Sequence, residues 1–220
     1  MKIQGFLDHL LKSAGGDANS NTGTPAAGGL GGMLNADFGK GALAGGALGL
    51  LLGKNKTTRK LATYGGLAAV GVMAYKAYGD YKQQQAGTTA PVEPRTVDRL
   101  PPPQAELHSQ AILKALIAAA KADGHIDARE RQVIEGEFTR LNNDAELQQW
   151  LHAELEKPLD PAEVARAAST PEMASEMYLA SLLAADQQSF MERAYLDELA
   201  RQLRLDDALK LRLEQQLKQA

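Results

Sequence analysis

Gly41-Ala-Leu-Ala-Gly45-Gly-Ala-Leu-Gly49-Leu-Leu-Leu-Gly53 carries glycine at strict four-residue spacing through an uncharged run. On a helix this spacing lines Gly41, Gly45, Gly49 and Gly53 along one smooth face, where a second backbone can approach closely. A second Gly-rich apolar run, Leu61–Tyr75, follows within ten residues and holds Gly65, Gly66 and Gly71. In lipid, helices associate through such small-residue faces, because hydrophobicity gives no force between helices already in hydrocarbon. Residues 39–81 therefore read as a Gly-rich membrane helix or helical hairpin, with glycine faces that could also join copies of the chain into a homo-oligomer; the alternative is a disordered stretch or a soluble helical hairpin, whose apolar side chains would need a protein cover.

Length separates the two runs. As a helix, Gly41–Gly53 reaches only about 20 Å, short of the roughly 30 Å hydrocarbon core. Leu61–Tyr75 is also uncharged, and it extends through Gly79 if Lys76 snorkels to the interface. Leu61–Gly79 is therefore the expected span, with Tyr75, Tyr78 and Tyr81 as an aromatic belt. Between the runs, Lys54-Asn-Lys56-Thr-Thr-Arg59-Lys60 places four cations in seven residues. Such clusters stay cytoplasmic under the positive-inside rule. The expected location is a bacterial inner membrane, with everything after Tyr81 in the periplasm and the cytoplasm as the alternative.

Charge divides the chain in the same way. Residues 1–103 carry 11 Lys/Arg against 6 Asp/Glu, and residues 104–220 carry 13 against 21. A basic half beside an acidic half fits one part near anionic lipid and the other in water. The acidic half lacks the basic footprint that nucleic-acid binding needs. The chain has no Cys, which excludes disulfides, thiolate metal sites and Cys nucleophiles.

The flanking segments follow from composition. In residues 1–14, Ile3, Phe6, Leu7, Leu10 and Leu11 share one face of an amphipathic helix, which either lies in the headgroup layer or docks on protein. Residues 15–38 are a Gly/Asn/Ser-rich tether. Residues 82–103 are a Gln/Pro-rich linker, since Pro91, Pro94, Pro101, Pro102 and Pro103 favour extended backbone and a semi-rigid spacer.

Residues 104–220 read as an all-α domain of about seven helices. Gln104–Ala122 carries an apolar face and ends at Asp123-Gly124, with Gly suited to the left-handed cap. Further helices open at Asp127-x-x-Glu130, at Asn143, at Asp160-Pro161, at Thr170-Pro171, at Ser189-x-x-Glu192 and at Asp206. No stretch alternates apolar and polar residues as a strand would. The two halves echo each other. Ile117–Asp123 and then Glu130 matches Leu182–Asp186 and then Glu192, which suggests a pair of helical hairpins.

Ala122-Asp-Gly-His-Ile-Asp127-x-x-Glu130 resembles the Ala-Asp-Gly signature of the TerB-like, tellurite-resistance-associated helical domains. A Gly-rich membrane segment, a Pro-rich linker and that domain together resemble the YebE-type inner-membrane proteins, a family of undefined function. The resemblance implies an inner-membrane location, a TerB-like C-terminal bundle and a divalent metal ion held by clustered acidic residues. Its candidates here are Asp123, Asp127 and Glu130 from the first half, with Asp186 and Glu192 from the second. The second half departs from the pattern, since no Gly follows Asp186. Elementary chemistry supplies a competing role. Hard cations need several oxygens converging on one point, and these residues do not follow an EF-hand loop, whereas Asp127 and Glu130 suit a helix cap.

Enzyme signatures are missing from the sequence. It has no G-x-S-x-G elbow, no phosphate loop ending in GK[ST], no H-E-x-x-H and no Rossmann fingerprint. The expected function is that of a membrane-anchored module, not an enzyme, whose acidic helical domain binds a protein partner or senses envelope stress. Metal binding through the acidic turns is the alternative.

Overall fold

The computed structural model describes residues 3–5, 7, 67–85, 93–122, 126, 128–141, 144–185 and 189–219. Among these the secondary structure is helical throughout, with eight helices delimited from Leu67 onward. They are α1 Leu67–Gln85, α2 Pro102–Ala120, α3 Ala128–Leu141, α4 Ala145–Glu156, α5 Pro161–Ala165, α6 Pro171–Ala184, α7 Phe190–Gln202 and α8 Asp207–Gln219. The expectation of an all-α chain with about seven helices after the Pro-rich stretch is met by α2 to α8.

Caps fix most of the starts. Asp160 accepts from the Ala162 N–H and precedes Pro161 at the first helical position of α5. Thr170 accepts from the Met173 N–H before Pro171. Ser189 and Glu192 form a reciprocal capping box at α7. Asp206 accepts from the Ala208 N–H at α8. One start shifts by a residue, because Asp144 rather than Asn143 accepts from Glu146 and Leu147 at α4. The α2 helix begins earlier than expected, with Pro102 and Pro103 in its first turn, where no intrahelical N–H is required.

The centre of the fold is α6. Every residue from Met173 to Ala184 is buried, on all sides of the helix. A helix apolar all round needs cover all round. Its cover comes from α2, its most extensive partner, and from α1, α8 and α7. The α2 and α6 helices are the first members of the two echoing halves.

The membrane reading finds no support in the placement of α1. Leu67, Val70, Gly71, Ala74, Ala77 and Tyr78 form its buried stripe, and α1 packs on α6 and α8. Its outward side carries Val72, Lys76 and Asp80. No helix among the described residues is long and apolar enough to cross a membrane. The part of Leu61–Gly79 that is described is thus covered by protein: the apolar stripe that suits lipid equally suits α6. Tyr78 of the expected aromatic belt is buried, and Tyr75 lies beneath the Arg99 guanidinium, 3.9 Å from ring centre to carbon. The described N-terminal residues also meet the bundle. Ile3 and Leu7 are buried, and the Ile3 and Gln4 N–H groups donate to the Glu106 carboxylate of α2. Of the two placements open to this segment, docking on protein is the one seen for these residues.

Candidate functional site

The acidic constellation expected from the sequence is only partly visible. Asp123, Asp127 and Asp186 lie outside the described residues, as does the Glu130 side chain. Glu192 is buried, and its carboxylate accepts from the Ser189 N–H at 3.3 Å as the returning arm of the capping box. Among the described residues no three His, Asp or Glu side chains gather as a metal site would require. Of the glycines, Gly41, Gly45, Gly49, Gly53, Gly65 and Gly66 also lie outside the described residues.

Gly71 is described, and its face is occupied. A Cβ placed on it would stand 2.4 Å from Asp98 Oδ1 and 3.0 Å from the Asp98 backbone nitrogen. The small-residue face expected to receive a second membrane helix instead receives residues 93–101 of the same chain. This segment, inside the stretch expected to be a spacer, is a strap laid against the bundle. Pro94, Thr96 and Val97 are buried, while Glu93, Arg95, Asp98 and Arg99 are exposed. Thr96 and Arg99 close a turn through an N–H···O bond of 2.9 Å, and the Thr96 hydroxyl donates to Asp98 Oδ1 at 2.6 Å.

The strap ends on a buried polar pair. The Val97 N–H donates to Glu176 Oε1 at 2.5 Å. The other oxygen of Glu176 lies 2.5 Å from His108 Nδ1. Glu176 is fully buried and His108 nearly so, at 0% and 5% exposure. His108 comes from α2, Glu176 from α6 and Val97 from the strap, so the node joins three separate stretches of chain. A carboxylate in so dry a place needs every lone pair used, and here both oxygens are engaged. Burial pushes the Glu176 carboxyl above its ordinary range, and the bonds from His108 and Val97 oppose that shift without cancelling it. Both side chains are enclosed by the bundle, and what Glu176 offers the strap is an acceptor for one backbone N–H.

Sequence reasoning missed both members. His108 stands at helical spacing with Ala105, Ala111 and Ile112 on the apolar face of α2. Glu176 is the sole charge in α6 beyond its first turn. Those two anomalies were the available signal. Their pairing was not, since 68 residues separate them.

Other polar groups are spent on structure. Lys121 donates to the Glu154 carbonyl at 3.2 Å and to the Lys157 carbonyl, closing the end of α4, and burial lowers its pKa. Lys114 pairs with Glu163 at 2.6 Å. The Tyr178 hydroxyl donates to Glu214 at 3.0 Å, tying α6 to α8. The recess near Lys114 and Lys121 holds only about 10 Å³, barely room for one water. A wider groove of about 460 Å³ runs along α8 beside Asp80 and is lined by Leu211, Arg212 and Gln215. It is open, and it gathers no converging catalytic groups.

A protein described as "Uncharacterized protein in ampR 5'region", from Yersinia enterocolitica, is 32% identical over 110 residues, which cover 50% of this chain and 79% of that one. No solved structure matches. Residues 37–217 match the family described as "Protein of unknown function (DUF533)". That match takes in α1, the strap and the bundle alike, and on it the chain belongs to the DUF533 family.

Proposed function

We propose that this protein is a non-catalytic interaction module attached to the cytoplasmic face of a membrane. The observation that carries the reading is the packing of α1 on α6 and α8. With α1 part of the bundle, only residues 61–66 separate Lys60 from it. Six residues reach at most about 20 Å even when extended, less than the roughly 30 Å hydrocarbon core. The Lys54–Lys60 cluster and the bundle therefore share one side of the membrane. The anionic lipid of the cytoplasmic leaflet attracts such a cluster, which favours the cytoplasm in place of the periplasm expected when Leu61–Gly79 was taken as a span. Gly41–Gly53, too short to cross as a helix, supplies a shallow apolar contact, and Lys54, Lys56, Arg59 and Lys60 supply attraction to anionic headgroups. The acidic bundle is the part left to meet partners. The TerB-like resemblance of Ala122–Glu130 fits this role as a second name for the same helical domain, and it rests on sequence alone.

Flotation on vesicles tests the attachment. The full chain is expected to float with vesicles rich in phosphatidylglycerol and to sediment with purely phosphatidylcholine vesicles. Each cation near the surface is worth about 1 kcal/mol, so replacing all four by Gln is expected to weaken binding by roughly a hundredfold or more. A full chain that stays unbound at low salt on anionic vesicles removes the membrane from the proposal. For sidedness, alkaline phosphatase fused after Ala220 is expected to be expressed and inactive. An active fusion returns the bundle to the periplasm.

A further inference from the structure

We infer that the groove holding residues 93–101 is a peptide-binding site occupied in cis, and that its ligand class is a proline-flanked segment that turns over a Thr-Val-Asp-Arg pattern. The inference deepens the interaction-module reading and rests on it only in treating the bundle as a binder.

The strap is held as a bound peptide is held. It runs between Pro94 and Pro101, whose fixed φ limits the freedom lost on docking, and it turns once, over Thr96–Arg99. Two neighbouring side chains, Thr96 and Val97, are sunk into the bundle and the Asp98 carboxylate lies against α1, while Glu93, Arg95 and Arg99 are exposed. Such a pattern is that of anchors in a groove rather than of a core element. The receptor side is shaped for backbone. Gly71 offers no side chain, so Asp98 can lie against α1. Glu176, fully enclosed in an otherwise apolar stretch of α6, is aimed by His108 at one main-chain N–H, that of Val97. Tyr75 provides a face for the Arg99 guanidinium, which Glu93 also engages at 2.6 Å. The tie is light. One backbone hydrogen bond closes the turn, one backbone N–H enters the buried pair, and further polar ties, from Arg95 to Gln104 and from the first α2 N–H groups to the Pro101 carbonyl, are to the neighbouring start of α2. Segments with so few ties open locally at a fraction of the cost of global unfolding. Covalent linkage gives the cis segment an effective concentration in the millimolar range, so a partner segment of the same pattern displaces it only when tethered nearby or present at high local density.

The test uses the full chain and a fluorescently labelled peptide of sequence Glu-Pro-Arg-Thr-Val-Asp-Arg-Leu-Pro, which is residues 93–101. In the Val97→Asp variant the cis segment is expelled from its pocket, and the peptide is expected to bind at least tenfold more tightly than to the unaltered chain. A peptide with Asp in place of its Val is expected not to bind, and adding Glu176→Gln to the Val97→Asp chain is expected to weaken binding severalfold. No binding to a folded Val97→Asp chain overturns the proposal. Should that variant not fold, amide hydrogen exchange on the unaltered chain decides. Exchange of the Val97 N–H at least tenfold faster than the α6 amides supports a separable strap, and equal protection overturns it. A chain that fails to float on vesicles yet binds the peptide loses the tether and keeps the groove.

Discussion

Gly71 and Glu176 are the two residues on which the strap depends, and they fail in different ways. Gly71→Ala drives a methyl group into Asp98, with backbone as well as side chain in the path. We expect it to cost about 1–3 kcal/mol in urea unfolding, as overpacking of a close contact does. Gly136→Ala is the matched control. No atom lies within 4 Å of its added Cβ, so the better helix propensity of Ala is expected to raise stability by about 1 kcal/mol. Glu176→Ala leaves the His108 ring and the Val97 N–H without their buried acceptor. Breaking one side of a buried pair typically costs about 3–5 kcal/mol, and the same measurement should show it. Glu176→Gln is expected to cost less, because its amide oxygen still accepts from Val97.

At the scale of elements, the ends of α7 offer two checks. Its C-terminus closes in a Schellman arrangement, with the Leu205 N–H on the Ala200 carbonyl at 3.0 Å and the Arg204 N–H on the Arg201 carbonyl at 3.1 Å. Arg204 holds the left-handed position at φ 55°, where a Cβ is unwelcome. Arg204→Gly is therefore expected to stabilise the fold by about 1 kcal/mol, read as a rise in the urea midpoint. In the last turns of α7, hydrogen bonds from Arg201 and then Gln202 hold the Glu198 carboxyl down at about 2. A carboxylate depressed in the folded state contributes stability above its unfolded pKa and loses it as pH falls toward the folded value. For Glu198 that window runs from about 4.5 down to about 2. Carboxyl NMR should show the titration moving up toward the ordinary range in Arg201→Ala. These caps and i,i+3 or i,i+4 pairs were legible in the sequence, because Ser189-x-x-Glu192, Thr170-Pro171 and Asp160-Pro161 act within one turn of chain. What covers a helix is not a local property. Leu67, Val70, Ala74 and Ala77 form a stripe that reads the same whether its neighbour is lipid or α6. The spacer reading of residues 82–103 followed from proline content and could not register that Val97 has a pocket waiting for it. The acidic turns after α2 and α6, where a metal was expected, lie outside the described residues, so only the Glu192 cap speaks to that constellation.

For the whole molecule, the unit that folds begins no later than Leu67. A fragment of residues 104–220 lacks α1 and the strap and leaves one side of α6 bare. Leu67, Val70 and Met73 alone account for about 5–9 kcal/mol of burial, comparable with the whole net stability of a domain. The fragment is expected to bind 8-anilinonaphthalene-1-sulfonate and to melt without a sharp transition, whereas residues 67–220 should unfold cooperatively. A sharp transition in the shorter fragment would mean that α1 is an accessory. The order of the helices along the chain adds a constraint on synthesis. The two partners of α1 are made in turn, α6 first and α8 after it. At roughly 5–20 residues per second, the ribosome takes several seconds to make the chain from α1 to α6. Throughout that interval the Leu67–Tyr78 stripe is a sticky nascent segment, open to chaperones, to the insertion machinery and to the bilayer, and its cover is complete only once α8 has been made.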